Sequence, residues 1–153
     1  MKTGMPARNF ILDALAGQME AQNYGLFFYD NTSPIPATPG DGVGSSVLLC
    51  KMTNNGQPGV GLSWEAASSA ILSKTVAEVW KGAVIANGTV AFARLQPLTD
   101  TGAASSSIIR LQFTVGLTLA TADIACNPVV WSTTDADKTI DASSLIMPES
   151  YNL

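Results

Sequence analysis

The chain contains no histidine, and that absence removes the usual general base, the Ser-His and Cys-His nucleophile couples and the commonest transition-metal ligand together. Charge is scarce as well. Only 13% of residues are charged, about half the share of an ordinary globular chain, so much of the surface is neutral and part of it is expected to be covered by partners or by copies of itself. Eight Lys and Arg are scattered through a chain of net charge −4, without a basic run, which argues against nucleic-acid binding. No apolar stretch approaches the roughly 20 residues needed to cross a bilayer, so no membrane role is expected. The segment 1–22 does not read as a signal peptide, because Asp13, Gln18 and Glu20 interrupt its apolar residues. The sequons at Asn31 and Asn87 are then chance matches.

Cysteine is limited to Cys50 and Cys126, each inside an apolar run, which favours buried free thiols and leaves a bridge open should their strands be neighbours. Two thiols without histidine make no zinc site. Paired-acid chemistry needs two carboxylates in a cleft, and nothing pairs the twelve acids here. Asp135, Asp137 and Asp141 form an acidic cluster, but Ile140 and Ile146 occupy the glycine and glutamate positions that an EF-hand requires. No cofactor is expected. Trp64, Trp80 and Trp131 fall in strand-like runs and read as core anchors, with a sugar-binding platform as the competing use.

What is present is a β pattern. Asn87-Gly88 lies between two runs rich in β-branched and aromatic residues and predicts a tight hairpin, giving three consecutive strands across residues 80–115. Ile109, Leu111, Phe113 and Val115 alternate with Arg110, Gln112 and Thr114, which predicts a strand with one buried face and Arg110 on the outer one. Further strands are expected at 24–30, 47–53, 60–64, 74–86, 89–96, 123–131 and 139–147. Residues 7–21 predict one helix, with Ile11, Leu15 and Met19 buried and Phe10 and Ala14 alongside. Residues 65–72 read equally as a short second helix. Short, turn-separated strands without crossover helices predict a mainly β fold, an antiparallel β-sandwich or jelly-roll-like barrel with one N-terminal α-helix. The expected organisation is a single domain over 1–153 with arms at 1–6 and 148–153.

Residues 31–45, with three prolines and three glycines, predict a long exposed loop whose GDGVGS run fits neither a dinucleotide fingerprint nor a phosphate loop. That loop and the C-terminal arm are the elements most free to reach neighbours. Pro34, Pro36, Pro39, Asp41, Pro148, Tyr151 and Leu153 are therefore the candidate interface residues.

The order of features, with Arg8-Asn9 in the helix, Pro36-Ala37 in the loop, Gly88-Thr89, Phe92, Arg94, Asp100-Thr101-Gly102 and Arg110, resembles small virion structural proteins of tailed bacteriophages over about residues 7–147. The resemblance implies a non-enzymatic protein of the virion, assembled in the bacterial host cytoplasm. Its implied role is capsid decoration, or cement, as a homo-oligomer on the major capsid protein. A tail-associated or fibre-base protein is the alternative within the virion, and a carbohydrate-binding β-sandwich the alternative outside it.

Overall fold

A computed structural model describes residues 4–119, 122–126, 129–140 and 144–146, the last three as backbone. The candidate residues Pro148, Tyr151 and Leu153, and Asp141 of the acidic cluster, lie outside the described residues.

Helix α1 spans Met5–Ala21, so Met5 and Pro6 belong to the helix and not to an arm. Pro6 stands in the first turn, where its missing N–H is not needed. The buried line is Arg8, Leu12, Ala16 and Met19. Ile11 and Leu15 are half-buried, while Phe10 and Ala14 face outwards, which corrects the expected stripe. Three side chains fix this rotation. Asn9 Oδ1 accepts from Ala70 N, Asp13 Oδ1 from Ala67 N and Glu20 Oε1 from Trp64 N, stitching one flank of the helix to residues 64–70.

The strands are β1 (Tyr24–Tyr29), β2 (Leu48–Asn54), β3 (Ile71–Ser73), β4 (Trp80–Gly82), β5 (Gly88–Thr89), β6 (Phe92–Pro97), β7 (Leu111–Gly116), β8 (Ile124–Ala125), β9 (Val130–Trp131), β10 (Lys138–Ile140) and β11 (Ser144–Ile146). Seven of them form one sheet in the order β10-β4-β2-β1-β6-β7-β8. The fold is mainly β with one N-terminal helix, as the strand spacing indicates. The sheet is mixed, because β7 and β8 run parallel while every other pair is antiparallel. Two-stranded ribbons β3–β11 and β5–β9 complete the architecture. The sheet curls, so that β8 and β10, at its opposite edges, line one cavity of about 240 Å³ over Phe28, Met52 and Trp131.

The expected hairpin at Asn87-Gly88 does not form. β4 pairs with β2 and β10, and Gly88–Thr89 pairs with Val130–Trp131. Asn87 instead accepts from Thr133 N through its side chain. The tight turn belongs to the other Asn-Gly of the chain: Asn55 and Gly56 have φ of 53° and 72°, and Gln57 N donates to Asn54 O at 3.0 Å. An Asn-Gly pair permits this turn, and long-range pairing decides which one takes it. Residues 65–72 form no helix, since Ser69 and Ala70 both adopt positive φ on entering β3. The strand expected at 60–64 is reduced to a single bridge from Trp64 to Lys74.

Both central strands, β1 and β6, are buried along their whole length, which requires cover on two faces. On one face Tyr24, Leu26, Phe28, Ala93 and Leu95 join Leu12 and Met19 of α1, Trp64, Trp80 and Trp131 in the main core. All three tryptophans are buried, so none of them forms an exposed platform. On the other face Phe27, Tyr29, Phe92 and Val43 form a second, smaller cluster.

Cys50 and Cys126 are free thiols, Cys50 buried in the main core and Cys126 half-buried against it. Burial pushes both thiol pKa values up, that of Cys50 to about 12. At pH 8 a thiol with that pKa is ionised on the order of one part in ten thousand. Native protein is therefore expected to leave Cys50 unmodified by a thiol reagent at pH 8, with Cys126 reacting first and Cys50 only on unfolding. Mass spectrometry after timed alkylation checks the order, and prompt labelling of Cys50 in folded protein would refute it.

Candidate interaction surface

The second face of the sheet is covered by loops, and buried cations hold them there. Residues 31–45 leave the end of β1 and return to β2, and Asp30 clasps the two ends. Its Oδ1 accepts from Val47 N at 2.7 Å, Thr32 Oγ1 at 2.9 Å and Thr32 N at 3.2 Å. Burial alone raises the Asp30 pKa, but these donors outweigh it and the net shift is downward from the ordinary 3.8. A carboxyl whose folded pKa is depressed contributes stability that is complete above its unfolded value and lost as pH falls through the folded one. Below about pH 4 the clasp should therefore loosen. Comparing the melting temperature of wild type and Asp30→Asn from pH 5 to 2 is expected to show a shallower acid decline in the variant, and parallel curves would refute the assignment.

Inside the loop, Asp41 Oδ2 accepts from Thr38 N and Thr38 Oγ1, closing a local turn. The underside of that turn rests on Arg94 of β6. Arg94 is fully buried (0% exposed), and it donates from Nη1 to Asp41 O at 2.9 Å, from Nη2 to Thr38 O at 3.3 Å and from Nε to Gln112 Oε1 at 2.9 Å. Gln112 in turn donates to Pro36 O at 2.8 Å. Burial first, and then the charge of Arg110, pull the Arg94 pKa down, and no carboxylate forms an ion pair with it among the described residues. Arginine stays protonated under such conditions, so its donors are permanent.

A second loop, residues 98–109, packs against the first. Arg110 forms a bidentate pair with Asp100, Nε to Oδ2 at 2.6 Å and Nη2 to Oδ1 at 2.7 Å, both side chains at most 2% exposed. Its remaining donors reach Ala103 O and Pro39 O, so one guanidinium ties both loops together. Backbone bonds from Val43 N to Gly102 O and from Ser105 N to Gly40 O complete the seam. Gly102 has φ of +78°, and a Cβ there would stand 2.9 Å from Val43 Cγ2, so glycine is required at this crossing.

The loops expected to be free are thus fixed from beneath. Of the predicted interface residues, Pro34 and Asp41 are exposed, Pro39 is half-buried and Pro36 is buried against the sheet. The exposed side of the paired loops carries Pro34, Ile35, Thr38, Asp41, Ser107 and Ile109, with Asp41 the one exposed charge in residues 31–47 and 98–109. Ile35 and Ile109 are 46% and 45% exposed. Arg110, expected on an outer face, is 5% exposed. The structure therefore brings together Pro34, Pro36, Pro39 and Asp41 and adds Arg94, Asp100, Arg110 and Gln112, which alternation alone does not single out.

No protein-family model, curated protein or solved structure matches the chain. Its surface is therefore read from its own chemistry. The polar groups of the clamp are engaged in holding backbone, which suits recognition by a preformed shape. In the acidic segment Asp135 pairs with Lys138 and Asp137 with Lys81. Among the described residues no group of three His, Cys, Asp or Glu is placed to hold a metal ion.

Proposed function

We propose that this chain is a non-catalytic structural protein of a tailed-bacteriophage virion, a capsid decoration or cement protein that binds the major capsid protein as a homo-oligomer. The observation that carries the reading is the clamped pair of loops: a nearly uncharged surface, held rigid by Arg94 and Arg110 from beneath. Such a surface loses little conformational freedom on docking and presents few charges to desolvate, which favours repeated attachment to a lattice of identical sites. The resemblance of the chain to small virion proteins and its low overall charge support the same reading. A carbohydrate-binding role draws no support from Trp64, Trp80 and Trp131, whose rings are in the core. A tail-associated position is the second reading within the virion.

Immunogold labelling of particles tests location, and heat challenge of particles with and without the protein tests reinforcement. Label over the head and a lower survival temperature without the protein are expected. Label confined to the tail rejects the cement role in favour of the tail-associated one. Ile35→Asp and Ile109→Asp, at exposed positions, are expected to keep the fold and reduce attachment to particles.

A further inference from the structure

The outward side of α1 departs from what a surface helix presents. Arg8, Asp13 and Glu20 are its only charged residues: Arg8 belongs to the buried line, and the two carboxylates flank that line and reach backbone of residues 64–67. Arg8 is 7% exposed, and the two carboxylates accept from Ala67 N and Trp64 N at 2.7 and 2.9 Å. The centre of the opposite side is Phe10, Ala14, Gly17 and Ala21, all exposed, with Phe10 at 73%. A solvent-facing helix carries its charge outwards, and one that is apolar on both sides is covered on both sides.

The four residues are spaced by four, three and four positions, the seam of two packed helices, and that spacing reads identically in either direction. Two antiparallel copies related by a two-fold axis between Leu15 and Ala16 place Phe10 over Ala21 of the second copy at both ends. At the centre Ala14 lies across Gly17. The bulky residue meets a small one twice, and the small residues let the backbones approach. A Cβ at Gly17 would meet nothing within 4 Å, so no neighbour among the described residues requires glycine there, although glycine weakens the helix. A second backbone supplies the reason. The chain's net charge of −4 sets copies against one another, and this face meets its own image without any charge.

We propose that α1 is a homodimer interface, in which two copies pack antiparallel through the Phe10–Ala14–Gly17–Ala21 seam. A second copy is the occupant because the pattern is complementary to itself, as an isologous two-fold contact requires. The pairing stands on the helix alone and does not rest on the virion reading, which particle labelling tests separately.

Sedimentation equilibrium of the full chain over a concentration series is the test, with a mass twice the 15.9 kDa of the monomer expected at the upper end. Gly17→Leu fills the crossing point and is expected to weaken association about tenfold or more. The thermal melt of the resulting monomer should remain cooperative, since the added side chain enters open space. Phe10→Ser is expected to weaken association too, and Ile35→Asp to leave it unchanged. A monomer at every concentration, or a dimer indifferent to both helix substitutions, overturns the proposal. So does a monomeric wild type whose attachment to particles is lost in Gly17→Leu, because that result assigns the face to a different protein.

Discussion

Arg110→Ala is expected to lower stability by about 3–5 kcal/mol, the cost of leaving one partner of a buried ion pair without the other. For a chain of this size that corresponds to a fall in melting temperature of roughly 10 °C. Asp100 is the reason. Its side chain is 2% exposed, and both of its oxygens are met by Arg110, although Oδ1 also accepts from Gly102 N. Removing the guanidinium strands a carboxylate and also frees the carbonyls of Pro39 and Ala103. Arg110→Lys should rescue little, because an ammonium does not reproduce the two-pronged pairing or reach two loops together. Chemical denaturation of the three proteins checks this, and the double substitution Arg110→Ala with Asp100→Ala should recover part of the loss by removing the stranded charge. Equal stability of wild type and Arg110→Ala would mean that the loops are not clamped.

Trp80→Ala is expected to be comparably damaging, at about 3–5 kcal/mol by comparison with other large-to-small substitutions of buried aromatics. Trp80 is 2% exposed and meets Trp64 edge to face, with ring centroids 4.8 Å apart. Its indole N–H also donates to Glu78 Oε2, one of several bonds that satisfy this buried carboxylate: Asn54 Nδ2, Ser63 N and Ser63 Oγ supply the others. The substitution therefore opens a cavity and removes a donor at once. Phe113→Ala, by contrast, should cost less, because Phe113 lies against the core but is only half-buried. Urea unfolding ranks the two, and a larger loss at Phe113 would invert the account of where the core is densest.

The difference between these positions and what alternation predicts is instructive. The polarity period correctly separates Leu111, Phe113 and Val115 from Arg110 and Gln112, but it fails at Ile109, which precedes β7 and is 45% exposed. It says nothing about what lies over the polar side. Distant loops occupy that side, and their carbonyls are the acceptors that make buried arginine tolerable. Arg94 is hidden in the sequence for the same reason, since the run FARLQP places it on the same side of β6 as Phe92 and only two-sided burial reveals it. The helix was legible as an element from its spacing, whereas its rotation depended on Asn9, Asp13 and Glu20 reaching backbone donors far along the chain. The hairpin failed in the same way: residue preference at Asn87-Gly88 was local, and its competitor was a strand more than forty residues away.

The outermost strands of the main sheet have a consequence for crowding. A chain with so few charged residues has little electrostatic repulsion to keep neighbouring copies apart at high concentration. Long, unpaired strand margins would then invite copies to extend one another's ladders into aggregates. Here β8 contributes two residues and β10 three, and the curl turns both margins towards a common cavity. Among the described residues neither margin offers a long backbone template to a neighbouring copy. Any contact between copies at these margins is left to side chains, and its order to the shape of the surfaces that carry them.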